Sequence, residues 1–331
     1  MTDISTSQLD PYQSDPDRWG TSLAQVQEIM RPVLDAAGAK SIVEVGAFAG
    51  DLTRVLVQWA AGAGAKVGAV DPSPQPGLVK LAEENPEVEL IRETSLEALP
   101  HIDLPDAFVI DGDHNYWTVS EELRLIAERA GDSLPLLLFH DVCWPHARRD
   151  DYFAADLIPE DYRQPVANGG GGIFPGEPGL RPDGGLPYPR SAVNEGGPRN
   201  GVLTAVEDFV AARDDLRLVV VPAFFGFGVV WPLAASYSDD LARILDPYDR
   251  NPVLERLEAN RVHHLALGQT RAAEIWKYQE RLARQEAVLQ RLLNSSAFVV
   301  AERLSQVRDR AGIGTEHSTV SKDEIRRALE G

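Results

Sequence analysis

Three aspartates and two histidines stand where short apolar runs stop. Asp111, Asp113 and His114 follow the run 107–110, and His140 and Asp141 follow the run 134–139. Ionised carboxylates are hard oxygen donors, and a group of them suits Mg2+, Mn2+ or Ca2+ rather than a soft-metal centre. An imidazole beside them titrates near neutrality and can take or give a proton. Asp111, Asp113 and Asp141 are therefore the candidate metal ligands, and His140, His114 and Asp111 the candidate catalytic groups. A second role is open to Asp113 and His114, that of turn residues capping the next helix.

Such chemistry requires a scaffold that gathers these residues. The runs 42–43, 66–70, 88–91, 107–110 and 134–139 read as strands, and helical stretches at 52–59, 78–84 and 119–129 alternate with them. Recurring strand-helix order predicts a mostly parallel sheet with helices on both faces. Ligands of such sheets bind outside the carboxyl ends of the strands. Glu44, Asp71, Asp111, Asp113, His140 and Asp141 all fall at those ends. The last two strands, 216–221 and 225–231, are joined by only 222–224 and are expected to run antiparallel. Before the first strand, Thr21 or Ser22 is placed to cap a helix carrying Leu23, Val26, Ile29, Val33 and Leu34 on one face and ending near Gly38.

The first turn, after Ile42-Val43, reads Glu44-Val-Gly46-Ala47-Phe48-Ala-Gly50. Glycine serves where the backbone turns sharply or must lie against a ligand with no Cβ between. A dinucleotide fingerprint needs a glycine where Phe48 stands, which disfavours an NAD-linked oxidoreductase. Asp71, at the end of the second strand before Pro72, is placed to accept the two hydroxyls of a ribose; its bland role is to start a turn.

Composition narrows the class. The chain has 331 residues, 44% of them hydrophobic, and a net charge of −19. That balance opposes a polyphosphate partner, so nucleic acid is not expected. Residues 1–20 are polar and read as a flexible N-terminal arm without a signal peptide. No run approaches the ~20 apolar residues of a membrane span. The one cysteine, Cys143, fits a reducing cytoplasm, the expected location.

Residues 145–200 are rich in Gly and Pro, yet keep Ile173, Phe174, Leu180, Leu186 and Tyr188, and read as a lid-like insertion. Around it, His146, Arg148, Arg149 and Arg199 are either solvent-exposed or readers of a hydroxylated or acidic acceptor, and Tyr116 and Trp117 are either core or pocket wall. Residues 236–331 read as a helical C-terminal extension. Ile275, Leu282, Leu289 and Leu292 hint at a coiled-coil seam that Gln285 and Ser296 interrupt, and the segment reads equally as a homo-oligomerisation element or as a long solvated helix packed on the domain or a partner.

Glu44-x-Gly46-x-x-x-Gly50 resembles the first motif of class I S-adenosylmethionine (SAM) methyltransferases. Ile110-Asp-Gly-Asp-His-Asn-Tyr116 followed by Phe139-His-Asp-Val142 is similar to the macrocin O-methyltransferase and cephalosporin-hydroxylase-like families of biosynthetic clusters. The likeness covers about residues 40–232. It implies an α/β, Rossmann-like doubly wound sheet, mostly parallel with an antiparallel last strand, to which the C-terminal helices, outside its motifs, are added. It also implies a methyltransferase domain over 21–235 that methylates a hydroxyl of a small acceptor such as a sugar, natural product or glycan precursor. SAM would be held by Glu44, Gly46, Ala47, Phe48, Gly50, Asp71 and Asp111, with Thr94 and Ser95 on the adenine side or capping the next helix. Mg2+ would sit on Asp111, with Asp113 as the neighbouring option, and on Asp141. The family's acidic pair after the fifth strand is here His140-Asp141, so His140 either ligates the metal or acts as base without it. Two other classes stay open: a non-haem iron hydroxylase using His114, His140 and an aspartate as a facial triad, and a non-catalytic, methyltransferase-like assembly protein.

Overall fold

The computed structural model describes residues 22–166 and 171–312. The expected arm at 1–20, the Thr21 cap, part of the glycine run beginning at Asn168 and the tail after Gly312 lie outside the described residues.

Alternating faces explain the layering. In strand β5 (Leu136–Phe139), Leu136 and Leu138 join one apolar cluster while Leu137 and Phe139 join the other. That is the period of two of a strand buried on both faces. The seven-stranded sheet has the order β3-β2-β1-β4-β5-β7-β6. It is built from β1 (Ser41–Val45), β2 (Lys66–Val70), β3 (Val88–Ile91), β4 (Ala107–Ile110), β5, β6 (Leu216–Val221) and β7 (Phe227–Pro232). Every pairing is parallel except those of β7, which runs antiparallel to both β5 and β6. The expected fold class therefore holds, with the reversed strand slotted between β5 and β6. Chain order reverses across the sheet between β1 and β4, which open side by side at a topological switch point.

One face is covered by α1 (Gln27–Ala37), α2 (Asp51–Ala63), α3 (Pro76–Glu84) and α7 (Ser238–Leu245). The other carries the one-turn α4 (Ser95–Ala98), α5 (Tyr116–Ala130) and α6 (Val202–Ala211). The first helix begins as a tight 3-10 turn, Leu23–Val26, capped by Ser22 Oγ accepting from the Ala24 amide at 3.2 Å. Gly38, at φ +65°, closes α1 in the left-handed conformation that glycine adopts without strain.

Several boundaries differ from the sequence reading, and three illustrate how. α2 runs on through 60–63, because alanines extend a helix rather than end it. α5 starts at Tyr116, because Asn115 Oδ1 accepts from the Thr118 amide at 2.9 Å and caps it. β5 starts at Leu136, two residues later than its apolar run.

Two long helices follow, α8 (Pro252–Leu293) and α9 (Ser296–Arg310). The chain divides into one compact unit up to Leu267 and another from Gly268 onward. The first unit holds the sheet and the start of α8. Within it Glu258 accepts from the Phe225 amide at 2.8 Å and pairs with Arg261 at 2.7 Å, bracing the turn before β7. Among the described residues, no helix is long and apolar enough to cross a membrane.

Candidate active site

A cavity of about 610 Å3 opens at the carboxyl ends of the strands. At the strand ends its lining forms two groups. Gly46, Phe48, Asp71, Thr94 and Ser95 lie on the side of β1 to β3, and Asp111, His114, His140 and Asp141 on the side of β4 and β5.

The first group is fixed by backbone geometry. Gly46 sits at φ +85°, and a Cβ there would lie 2.1 Å from the Asp111 carbonyl oxygen. The glycine thus lets the first turn press against the end of β4. Asp71 accepts from the Phe48 amide at 2.7 Å and from the Ser73 amide at 2.7 Å, tying the end of β2 to the glycine turn. Phe48 itself adopts φ +40° and leaves its ring exposed at the cavity mouth. Thr94 forms a capping box with Glu97, so the turn reading of Thr94 holds while Thr94 and Ser95 also line the cavity.

Glu44, Ala47 and Gly50 do not line the cavity. Glu44 is buried beneath the turn, where Thr53 Oγ1 donates to it at 2.6 Å. Burial first, then the nearby negative charges of Asp111 and Asp71, push its carboxyl up to about 8, against the Thr53 hydrogen bond. Ala47 joins the core and Gly50 caps α2. These three shape the turn from beneath or behind it.

The second group is a compact charge cluster. Ligand-type atoms of Asp111, His114 and Asp141 all lie within 4.8 Å of one another. His114 Nδ1 is 2.9 Å from Asp141 Oδ2. His140 Nδ1 is 3.0 Å from Asp111 Oδ1 and 3.5 Å from Asp141 Oδ2. Its Nε2 donates to the Phe224 carbonyl at 2.9 Å, since a carbonyl only accepts. With a proton on Nε2 and carboxylates at Nδ1, the stable form is the imidazolium. Burial pulls an imidazole down, but Asp111 and Asp141 outweigh it and push His140 up to about 10. His114 is held above its ordinary value on the same balance, burial opposed chiefly by Asp141, although 31% of its side chain is open to solvent. Burial works against ionisation of Asp141, yet His140 and His114 keep its carboxyl well below the usual range.

Asp113 stands apart from this cluster. Its oxygens accept from Thr118 Oγ1 at 3.1 Å and from the Phe153 amide at 2.9 Å. The residue clustered with Asp111 and Asp141 is His114. Two hard oxygens and one imidazole form a donor set that Mg2+ or Mn2+ can use. A facial triad through His140 is disfavoured, because both its ring nitrogens are engaged.

The Gly/Pro-rich segment supplies the remaining wall. His146 stacks on His114 with ring centroids 4.8 Å apart, and Tyr188 meets His146 edge-on at 4.7 Å. Burial drives His146 down to about 3, so it stays neutral beside the charged pair. Asp151, Phe153, Leu157, Ile158 and Arg190 complete this side, with Trp117 of α5. The acceptor-reading alternative does not suit the other arginines. Arg149 is fully buried and donates to the carbonyls of Ala192, Val193 and Pro178, Arg148 pairs with Glu207, and Arg199 lies over Tyr162. Tyr116 donates to Asp208 and does not line the cavity. Sequence reasoning missed Phe153, Leu157 and Arg190; their signal was large side chains inside an otherwise Gly, Pro and Asp-rich stretch.

Residues 43–142 match the model of a family described as a methyltransferase domain, a stretch that starts in β1 and ends just past Asp141. No curated protein matches the chain significantly in sequence. Among solved structures, the chain is similar to an S-adenosylhomocysteine (SAH)-bound methyltransferase from Podospora anserina, with 14% identity over 66% of this chain and 83% of that one (TM-score 0.39). It is also similar to a Burkholderia thailandensis 1,6-didemethyltoxoflavin-N1-methyltransferase with bound SAH, with 15% identity over 66% and 81% (TM-score 0.35). A methyltransferase from Geobacter sulfurreducens shares 12% identity over 65% and 82% (TM-score 0.35). Likenesses this loose add nothing to the topology read directly from the chain.

Proposed function

We propose that the protein is a SAM-dependent methyltransferase that methylates a hydroxyl group of a small acceptor, such as a sugar or another hydroxylated natural product. The observation that carries this reading is the single cavity shared by the glycine turn with Asp71 and by the Asp111–His114–His140–Asp141 cluster. The methyltransferase-domain match over the same strands supports it.

In this reading SAM lies along Gly46, Phe48, Asp71 and Thr94, with its ribose hydroxyls on Asp71. The acceptor hydroxyl lies over the charge cluster, against the wall of Trp117, Phe153 and Tyr188. Transfer forms an O–C bond and breaks the S–C bond of the sulfonium, and the hydroxyl proton goes to His114. Asp141 orients that imidazole and stabilises its cation. In the ligand-free site both His114 and His140 favour their protonated forms. A cationic sulfonium entering beside them opposes that charge and favours proton loss from His114, the more open of the two. His140 remains the fixed counter-charge between Asp111 and Asp141. As an alternative to proton transfer to His114, Asp111, Asp141 and His114 would together hold a divalent ion, which would supply a positive charge that polarises the acceptor oxygen. Placing donor and acceptor in one cavity supplies much of the rate.

The test is calorimetric titration of metal-stripped protein with SAM, repeated with Mg2+ and with Mn2+. Micromolar SAM binding that Asp71→Ala weakens at least tenfold is the expected result. Absence of SAM binding in all three conditions overturns the reading.

A further inference from the structure

From residue 271 to residue 288 every side chain of α8 is exposed, on all faces of the helix. Among the described residues from Gly268 onward, Leu293 is the one apolar side chain that is buried. A helix this bare is marginal by itself in water, since helices draw most of their stability from a packed face. The exposed residues are nonetheless not uniformly polar. Ile275, Tyr278, Leu282, Gln285, Leu289 and Leu292 follow the alternating three- and four-residue spacing of a coiled-coil seam. Tyr278 and Leu282 leave 64% and 63% of their surfaces in solvent.

We propose that this stretch of α8 is a dimerisation helix that pairs in parallel and in register with the same stretch of a second copy of this chain. Charge placement selects that partner. With Ile275, Leu282 and Leu289 at a and Tyr278, Gln285 and Leu292 at d, Arg281 falls at g and Glu286 at e. In a parallel pair a g residue faces the e residue five positions on in the other helix, so Arg281 meets Glu286 of the second copy twice across the two-fold axis. Gln285 then faces Gln285. An amide pair in an apolar seam satisfies itself only in register, and a polar residue at such a layer fixes alignment at a cost in stability. The interruption at Gln285 thus becomes the feature that sets the register.

The test uses the full chain. Light scattering after size exclusion is expected to give twice the 36.2 kDa chain mass. Leu282→Asp and Arg281→Glu are each expected to shift the protein toward the monomer, and Arg281→Glu with Glu286→Arg to restore the dimer. In a Cys143→Ser background, Gln285→Cys is expected to cross-link to itself under mild oxidation. These positions are solvent-exposed in the single chain, and near-UV circular dichroism of the buried Trp59 and Trp231 reports that the sheet unit of each variant is intact. A monomeric wild type, or a dimer that Leu282→Asp leaves unchanged, overturns the proposal. A dimer whose Gln285→Cys variant does not cross-link overturns the parallel pairing.

Discussion

His140 Nδ1 lies 3.0 Å from Asp111 Oδ1, while its Nε2 donates to the Phe224 carbonyl at 2.9 Å. One buried imidazolium therefore links the ends of β4 and β5 to the turn before β7, and offsets the charge of two aspartates. His140→Gln removes that counter-charge. The expected result is a loss of about 3 kcal/mol in stability, the scale for stranding a buried ion-pair partner. The vacated acids are expected to bind Mn2+ more tightly than in the wild type. Denaturant unfolding and Mn2+ titration measure both, and unchanged values in both remove His140 from this role.

Gly46 and Gly62 make a controlled pair. A methyl at Gly46 meets the Asp111 backbone and is forced to φ +85°, whereas a Cβ at Gly62 meets nothing within 4 Å in the last turn of α2. Gly46→Ala is expected to destabilise by about 2 kcal/mol or more and to close the turn to ligands. Gly62→Ala is expected to stabilise by roughly 0.5–1 kcal/mol. Equal effects in urea titrations would refute the assignment.

Glu44 gives a pH signature. Its folded carboxyl, pushed up to about 8, keeps its proton between pH 4.5 and 8, whereas the unfolded chain releases it. The folded state binds more protons in that window, so stability falls as pH rises through it, by at most about 1.4 kcal/mol per pH unit from this group. Above pH 8 the loss from this group is complete, while the raised His114 and His140 continue the decline. Glu44→Gln is expected to flatten the decline, and a melting temperature with the same slope in both proteins would count against it. Glu122, also buried and pushed up to about 8, adds a parallel slope that the substitution leaves in place.

Arg149 is the strut of the cavity wall. Arg149→Met keeps the bulk of the stem and removes three hydrogen bonds to the carbonyls of Pro178, Ala192 and Val193. Stranded carbonyls cost about 1–3 kcal/mol each where they stay buried. Hydrogen exchange is expected to quicken across 172–200 while the strands keep their protection. Uniform exchange across the whole chain would mean that the arginine supports the fold rather than the wall.

The strands and the charge cluster were legible because both obey one-dimensional rules. Parallel strands buried on both faces read as unbroken apolar runs, and Asp111, His140 and Asp141 had to follow where those runs ended. The exchange of His114 for Asp113 was not legible, since it depends on how the turn 111–115 rotates before Asn115 caps α5. Nor was Glu44's inward turn, because a strand-end acid facing a ligand and one facing Thr53 have the same spacing. The wall at 145–200 follows no period at all. It is held by isolated pairings such as Ile173 with Leu186 and by Arg149, which as a sequence feature is one more surface-type residue.

Those pairings bear on the entropy of binding. A loop that orders only around its ligand loses about 1–2 kcal/mol of backbone freedom per residue at that moment. Here Ile173, Ser191 and Ala192 are already paired with backbone partners, and His146 already stacks on His114 with Tyr188 edge-on against His146. That freedom was surrendered when the chain folded, so any ligand of the cavity would meet a finished wall and keep more of its contact energy as affinity.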